Sequence, residues 1–245
     1  MDKDTSKKIV SWIRKKVKLS STKGVVMGLS GGIDSAVVSV LCQRAVGTKN
    51  LLCLILPCES LKEDINDAYL VAEKFCLETK SIDLTEIYRK FIKLLPDLDM
   101  KSKGNLKARL RMVTLYAFAN KYNYLVVGTG NKSELTIGYF TKYGDGGVDI
   151  LPIGNILKCD VIKLAKELCI PEKIINKKPS AGLWDGQTDE TEIGMTYPEL
   201  DEIIDKLCSG KEKFINKTIT SDKIERIKNM IIKSAHKRAP AEIFK

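Results

Sequence analysis

The stretch GVVMGLSGGIDSAVVSVL, residues 24–41, sets the tightest limit on how this chain can fold. Residues 24–29 form a short apolar run without polar alternation, which reads as a strand buried on both faces; over residues 34–46 the apolar positions return at helical spacing. Ser30, Gly31 and Gly32 between them leave room only for a tight strand-to-helix turn. The same alternation continues downstream. Residues 51–56 read as a second buried strand, 61–76 as a helix, 79–84 as a short strand before an amphipathic stretch, 106–121 as a long helix and 124–127 as a fourth strand ending at Gly128. That order predicts parallel strands with right-handed helical crossovers: an α/β fold with a doubly wound, mainly parallel sheet flanked by helices. A helix with Ile9, Trp12, Ile13 and Val17 on one face precedes it, and helices over 197–207 and 221–234 follow. With 245 residues, 44% of them hydrophobic, the chain can bury one substantial core, so a single domain over 1–245 is expected.

In such sheets ligands sit outside the carboxyl ends of the strands. Both SGGIDS, residues 30–35, and Gly128-Thr129-Gly130-Asn131 fall there. Gly31 and Gly32 let the backbone reach positive φ and let a phosphate approach without a Cβ in the way, while the helix start supplies unpaired N–H groups and a positive dipole end. The result is an anion cradle of neither familiar spacing, since GxxxxGK[ST] and GxGxxG are both absent. Asp34 stands where phosphates would arrive and Glu134 beyond a second strand end; two carboxylates meeting phosphate oxygens suit Mg²⁺, which keeps few protein ligands. First-turn charge on a helix dipole is the simpler use of either acid. Residues 143–148 and 177–192 are too polar and broken for core elements and read as binding loops, with 177–190 of the second reading as a mobile lid.

The net charge of +10, from 41 basic against 31 acidic residues, invites a nucleic-acid reading, but lysine outnumbers arginine and is spread along the whole chain, as on a solvated surface. Seven cysteines and one histidine offer no CxxC pair and no zinc spacing, which fits a reducing cytoplasm. The first 18 residues lack a signal-peptide core, and no apolar run approaches the roughly 20 residues of a membrane span. There is no Ser/His/Asp or Cys/His constellation for nucleophilic catalysis.

SGGIDSA between apolar segments resembles the pyrophosphate-binding loop of the ATP pyrophosphatases, enzymes that split ATP into AMP and pyrophosphate. Within that superfamily, NLKARLRM (105–112), GTGNKSE (128–134), TKYGDG (141–146), PSAGLW (179–184), GQTDE (186–190) and HKR (236–238), in this order, look like the NAD synthetase family across nearly the whole chain. The resemblance implies a Rossmann-like ATP pyrophosphatase fold with Gly28, Leu29, Ser30, Gly31, Gly32, Ile33, Asp34, Ser35, Thr129, Lys158 and Ser180 on ATP, the family often having Thr where Ser180 stands. It places Arg109, Lys142, Asp149, His236 and Lys237 on deamido-NAD, and Mg²⁺ on Asp34 and Glu134. The implied reaction is two-step: the nicotinate carboxylate attacks the α-phosphorus of ATP, pyrophosphate leaves, and ammonia displaces AMP from the acyl-adenylate to give NAD. Glutamine-using relatives carry an extra amidase domain, for which a chain filled by synthetase motifs has no room, so ammonia, free or delivered by a separate amidase subunit, is the expected nitrogen donor. A homodimer with the 106–121 helix at its interface is implied as well, and that helix, apolar almost all round, suits it. A tRNA-modifying adenylating enzyme would share SGGIDS but should show an RNA-binding extension or thiol-transfer cysteines. A non-catalytic nucleotide-binding module would have no need of the Asp34 and Glu134 pair.

Overall fold

The computed structural model describes residues 4–184 and 186–244. In chain order the elements are α1 (Thr5–Leu19), β1 (Gly24–Gly28), α2 (Ile33–Val46), β2 (Leu51–Ile55), α3 (Lys62–Lys74), β3 (Thr79–Ser81), α4 (Thr85–Ile92), α5 (Met100–Tyr122) and β4 (Tyr124–Val127). They are followed by α6 (Lys132–Ile137), α7 (Lys158–Glu167), α8 (Glu172–Ile175), α9 (Asp189–Ile193), α10 (Tyr197–Cys208), α11 (Ser221–Lys233) and α12 (Ala235–Arg238). The sheet order is β3-β2-β1-β4 with every pairing parallel, so the expected doubly wound sheet is present. The chain leaves β1 toward β2 on one side and returns to β4 on the other. The crevice between the carboxyl ends of β1 and β4 is therefore the topological switch point where ligands bind in such sheets.

Alternation across the pleat divides the core. Val26 lies opposite Leu52 and Val126 and packs with them under α4 and α5, whereas Met27, Cys53 and Val127 point the other way against α1, α2, α3 and α7. A third cluster, around Ile137, Leu200, Ile203, Ile204 and Ile227, joins α6, α10 and α11 beyond the strand ends.

Several boundaries differ from the sequence reading. The strand expected over 79–84 stops at Ser81, since Leu84 instead donates its N–H to Pro57 O and begins the approach to α4. The helix expected from residue 106 starts at Met100: Asp99 caps it, its carboxylate accepting from Ser102 N at 2.7 Å, and Gly104, a poor helix former, is carried inside it. No element was expected over 149–176, yet Val161, Leu164, Ala165 and Leu168 hold helical spacing for two turns and form the buried face of α7. In the 177–192 stretch the described residues 177–184 and 186–187 are irregular, residue 185 lies outside the described residues, and the Thr188 hydroxyl caps the short α9. Among the described residues all seven cysteines are free, and no helix is long and apolar enough to cross a membrane. Burial pushes the Cys53 thiol up to about 12, so it is inert as a nucleophile.

Candidate active site

The carboxyl ends of the sheet open into one cavity of about 920 Å³, lined by the β1–α2 turn, the residues after β2, the cavity face of α5, the β4–α6 turn, Lys158, the 177–187 loop and the end of the chain around His236 and Lys237.

The two glycines of SGGIDS divide the work expected of both. Gly31 takes φ +80°, and a Cβ there would lie 2.3 Å from the Asp64 carbonyl oxygen, so it packs the turn against α3 behind the cavity. Gly32 sits at the N-cap of α2 with φ −89°; it lines the cavity, and a Cβ there meets only Ser30 Oγ at 3.4 Å. Ser35 Oγ donates to Gly32 O (2.9 Å) and accepts from Ser30 N (3.2 Å), which pins the turn's shape. No side chain caps α2. Its first-turn N–H groups are thus left to a ligand at the positive end of the helix.

Asp34 and Glu134 are brought together by Lys158, whose ammonium is hydrogen-bonded to Asp34 Oδ2 and lies 3.7 Å from Glu134 Oε1. Asn131 fixes both acids. Its side chain caps α6 by accepting from Glu134 N (3.0 Å), and its amide group donates to Asp34 Oδ1 (3.0 Å). Glu134 is at once the third residue of that capping box and a wall of the cavity, so the simpler and the functional uses of this acid coincide. Burial, reinforced by the Asp34 charge, pushes the Glu134 carboxyl up to about 8. Burial works against the Lys158 charge too, yet Asp34 and Glu134 outweigh it and hold the lysine above its ordinary value. The lysine stands at the N-terminus of α7, the unfavourable end of a helix for a cation, and the two carboxylates offset that conflict.

The acid pair fits Mg²⁺: two hard oxygen donors face the cavity beside the phosphate cradle, and one lysine alone leaves their mutual repulsion incompletely offset. Among the described residues no group of three or more His, Cys, Asp or Glu side chains forms an all-protein metal cage.

Of the other residues singled out in the sequence, Thr129, Ser180, His236 and Lys237 line the same cavity. Arg109 and Lys142 do not line the cavity; Arg109 Nη2 donates to Lys142 O (3.3 Å), and Lys142 Nζ donates to the carbonyl of the lining residue His236 and to Ala239 O (3.2 Å). Lys237 Nζ donates to Gly138 O and Phe140 O, each at 2.8 Å. Asp149 is set apart: its carboxylate accepts from Tyr116 OH (2.9 Å) and Val126 N (2.7 Å) and ties the chain beside β4.

Sequence reasoning missed several cavity residues. Arg111 donates from Nε to Leu56 O (3.0 Å) and from Nη2 to Ser60 Oγ (3.1 Å), holding the turn after β2. Asp189, Tyr139, Glu192 and Tyr197 form a chain of hydrogen bonds that reaches Glu134 through Tyr197 OH (3.5 Å). Tyr139 and Tyr197 stand at ordinary apolar spacing in the sequence, and only their hydroxyls' partners, up to 63 residues away, reveal the network.

Sheet order, switch-point crevice, open helix N-terminus and paired acids define an α/β protein with the ATP pyrophosphatase fold. The family model described as NAD synthase matches residues 5–241. The chain is 47% identical over 233 residues to an NH3-dependent NAD(+) synthetase of Archaeoglobus fulgidus, covering 94% of this chain and 92% of that one. An NMN synthetase structure from Francisella tularensis superposes with TM-score 0.89 at 40% identity, covering 98% of this chain and 97% of that one. An NH3-dependent NAD synthetase from Campylobacter jejuni, in complex with nitrate, gives TM-score 0.87 at 37% identity over the full length of both chains. The chain belongs to the NAD synthase family.

Proposed function

We propose that this chain is an ammonia-dependent NAD synthetase, amidating deamido-NAD to NAD at the expense of ATP, which is split into AMP and pyrophosphate. The observation that carries the reading is the convergence of the uncapped α2 N-terminus, the Asp34 and Glu134 pair and Lys158 on one cavity of about 920 Å³. A carboxylate is a poor acyl donor until it bears a good leaving group. In the first step a nicotinate oxygen attacks the α-phosphorus and the bond to the β-phosphate bridging oxygen breaks. Pyrophosphate then departs against the α2 amides, with Lys158 neutralising charge that grows on the leaving group. In the second step the ammonia lone pair attacks the acyl carbon, AMP leaves with the acyl-oxygen bond pair, and the nitrogen loses a proton to give the amide. Mg²⁺, when bound by Asp34 and Glu134, supplies charge neutralisation for the phosphates.

The turn residues Gly28 to Ser35, with Thr129, Lys158 and Ser180, serve ATP. Arg109, Lys142 and Lys237 supply cations for the dinucleotide's pyrophosphate and nicotinate, His236 contributes its ring to the same ligand, and Asp149 offers its free lone pairs to a hydroxyl. The 177–188 loop covers the acyl-adenylate and keeps water from it. A homodimer completes the α5 side: in the single chain only Gly104, Lys107, Ala108 and Ala119 of this helix are buried, and Val113 is 59% exposed.

Incubating the protein with ATP, Mg²⁺, ammonium and deamido-NAD should yield NAD, AMP and pyrophosphate in equal amounts. ADP and phosphate as primary products would overturn the adenylation. Nicotinic acid mononucleotide belongs in the same assay, because the Francisella relative is an NMN synthetase; a higher kcat/KM for it would replace deamido-NAD as the substrate.

A further inference from the structure

The 177–184 segment lies on a seat that α5 provides. Gly104 is buried in the second turn of that helix, and a Cβ built on it would stand 3.1 Å from Cβ and Cδ1 of Leu183 and 3.2 Å from the Trp184 ring. All three neighbours belong to the loop. One turn further on, Lys107 Nζ donates to Leu183 O (3.2 Å), pairs with Glu59 Oε2 (3.1 Å) and lies 5.0 Å over the Tyr88 ring, with its side chain only 9% exposed. The loop is braced at its other points as well: Lys177 Nζ is 2.6 Å from both Asp64 Oδ1 and Asp67 Oδ2, and Asp189 N donates to Pro179 O (3.1 Å). Leu183 N donates to Gln187 Oε1 at 2.9 Å, which shapes the segment that rests on Gly104.

Glycine inside a 23-residue helix is disfavoured by backbone entropy, so its presence calls for a reason in packing. Here the missing side chain is the space that Leu183 and Trp184 occupy. Lys107 supplies a buried, charge-assisted donor for the one carbonyl that fixes how deep they sit.

We propose that Gly104 and Lys107 are positioning residues for the reaction: they form the seat that sets the closed position of the loop, and through it Ser180, over the nucleotide cavity. This rests on the reading of the loop as the cover of an ATP site, and it adds the residues that decide when that cover is closed. Neither residue lines the cavity, and both act through Leu183 and Trp184. The seat has a sign that an ordinary structural glycine lacks. A helix-favouring side chain at 104 strengthens the helix while it expels the loop, so stability and activity move in opposite directions.

The test uses the full chain with Gly104→Ala, Gly104→Leu, Lys107→Met and Lys107→Arg, measuring melting temperature, rate of limited proteolysis within 177–188, and kcat and KM for ATP. Gly104→Ala should melt at or up to about 2–4 °C above the parent, with loop cleavage and KM for ATP each raised about 3-fold. Gly104→Leu should raise both about 10-fold or more while melting no lower than the parent. Lys107→Met should speed cleavage and raise KM for ATP, and Lys107→Arg, which keeps a donor within reach of Leu183 O, should restore most of the protection. Unchanged cleavage and unchanged KM in Gly104→Leu would overturn the seat, as would a fall in melting temperature with cleavage in the loop unaltered. Cleavage is read without substrate, so it decides the seat even if the parent makes no NAD; absence of NAD from the parent would instead overturn the functional reading.

Discussion

Replacing Gly31 and Gly32 separately by alanine should split the phosphate turn into a folding half and a functional half. At Gly31, φ is +80° and the new Cβ would face the Asp64 carbonyl oxygen at 2.3 Å, with Ala68 N and Asp67 Cβ at 3.0 Å. A left-handed conformation costs an L-residue roughly 1–2 kcal/mol, and relieving a clash against the α3 backbone adds roughly 1–3 kcal/mol. Gly31→Ala should therefore lose about 2–5 kcal/mol of stability, read from the urea midpoint. At Gly32 the backbone is already extended and the nearest neighbour, Ser30 Oγ, stands at 3.4 Å, so alanine should cost less than about 1 kcal/mol, the range of an N-cap change. Its methyl group, however, enters the cavity where the leaving phosphates must meet the α2 amides. A fall of about 10- to 100-fold in kcat/KM for ATP is expected, or about 1.4–2.7 kcal/mol of lost transition-state stabilisation. Equal urea midpoints for Gly31→Ala and the parent would refute the packing argument. Parental kcat/KM in Gly32→Ala would refute close phosphate approach at this turn.

Lys158→Met leaves the half-buried Asp34 and Glu134 without their cation and should cost about 2–3 kcal/mol, recovered in part by Mg²⁺; a thermal shift with Mg²⁺ no larger than the parent's would count against the pair as a cation site. Asp34→Asn should cut turnover about 100-fold and remove that Mg²⁺ response, whereas parental turnover with intact Mg²⁺ dependence would end the assignment. Asp67 is fully buried, and although burial pushes its carboxyl up, the ammonium groups of Lys173 and Lys177 at 2.6 Å outweigh this and hold it below its ordinary value. Its stabilising contribution is thus present above the unfolded pKa of about 3.9 and lost as pH falls through the lower folded value, so Asp67→Asn should flatten the loss of stability below about pH 4, and an unchanged acid limb would contradict the pairing. Val113→Glu on the exposed face of α5 should dissociate the proposed homodimer; light scattering that shows the parent already monomeric at working concentration would remove that interface.

What the sequence by itself determined is what rests on local periodicity and on residues close in the chain. Apolar runs at 24–29, 51–56 and 124–127 alternating with helical spacing specify parallel strands, because a strand buried on both faces shows no polar alternation and a helical crossover forces the next strand to run the same way. SGGIDS located an uncapped helix start at the strand ends because strand, turn and helix N-terminus are contiguous there. The tertiary structure decided what depends on distant segments meeting. Lys158 resembles any solvated lysine until α7 carries its ammonium to Asp34, 124 residues away in the chain. Gly31 and Gly32 read alike until α3 packs behind one of them. Gly104 and Asn105, poor helix formers, hid the first turns of α5, and only Leu183 and Trp184 lying across Gly104 explain why a glycine stands inside a helix. Propensity and periodicity report a residue's chain neighbours, whereas burial, charge pairing and steric room are set by whatever the fold lays against it.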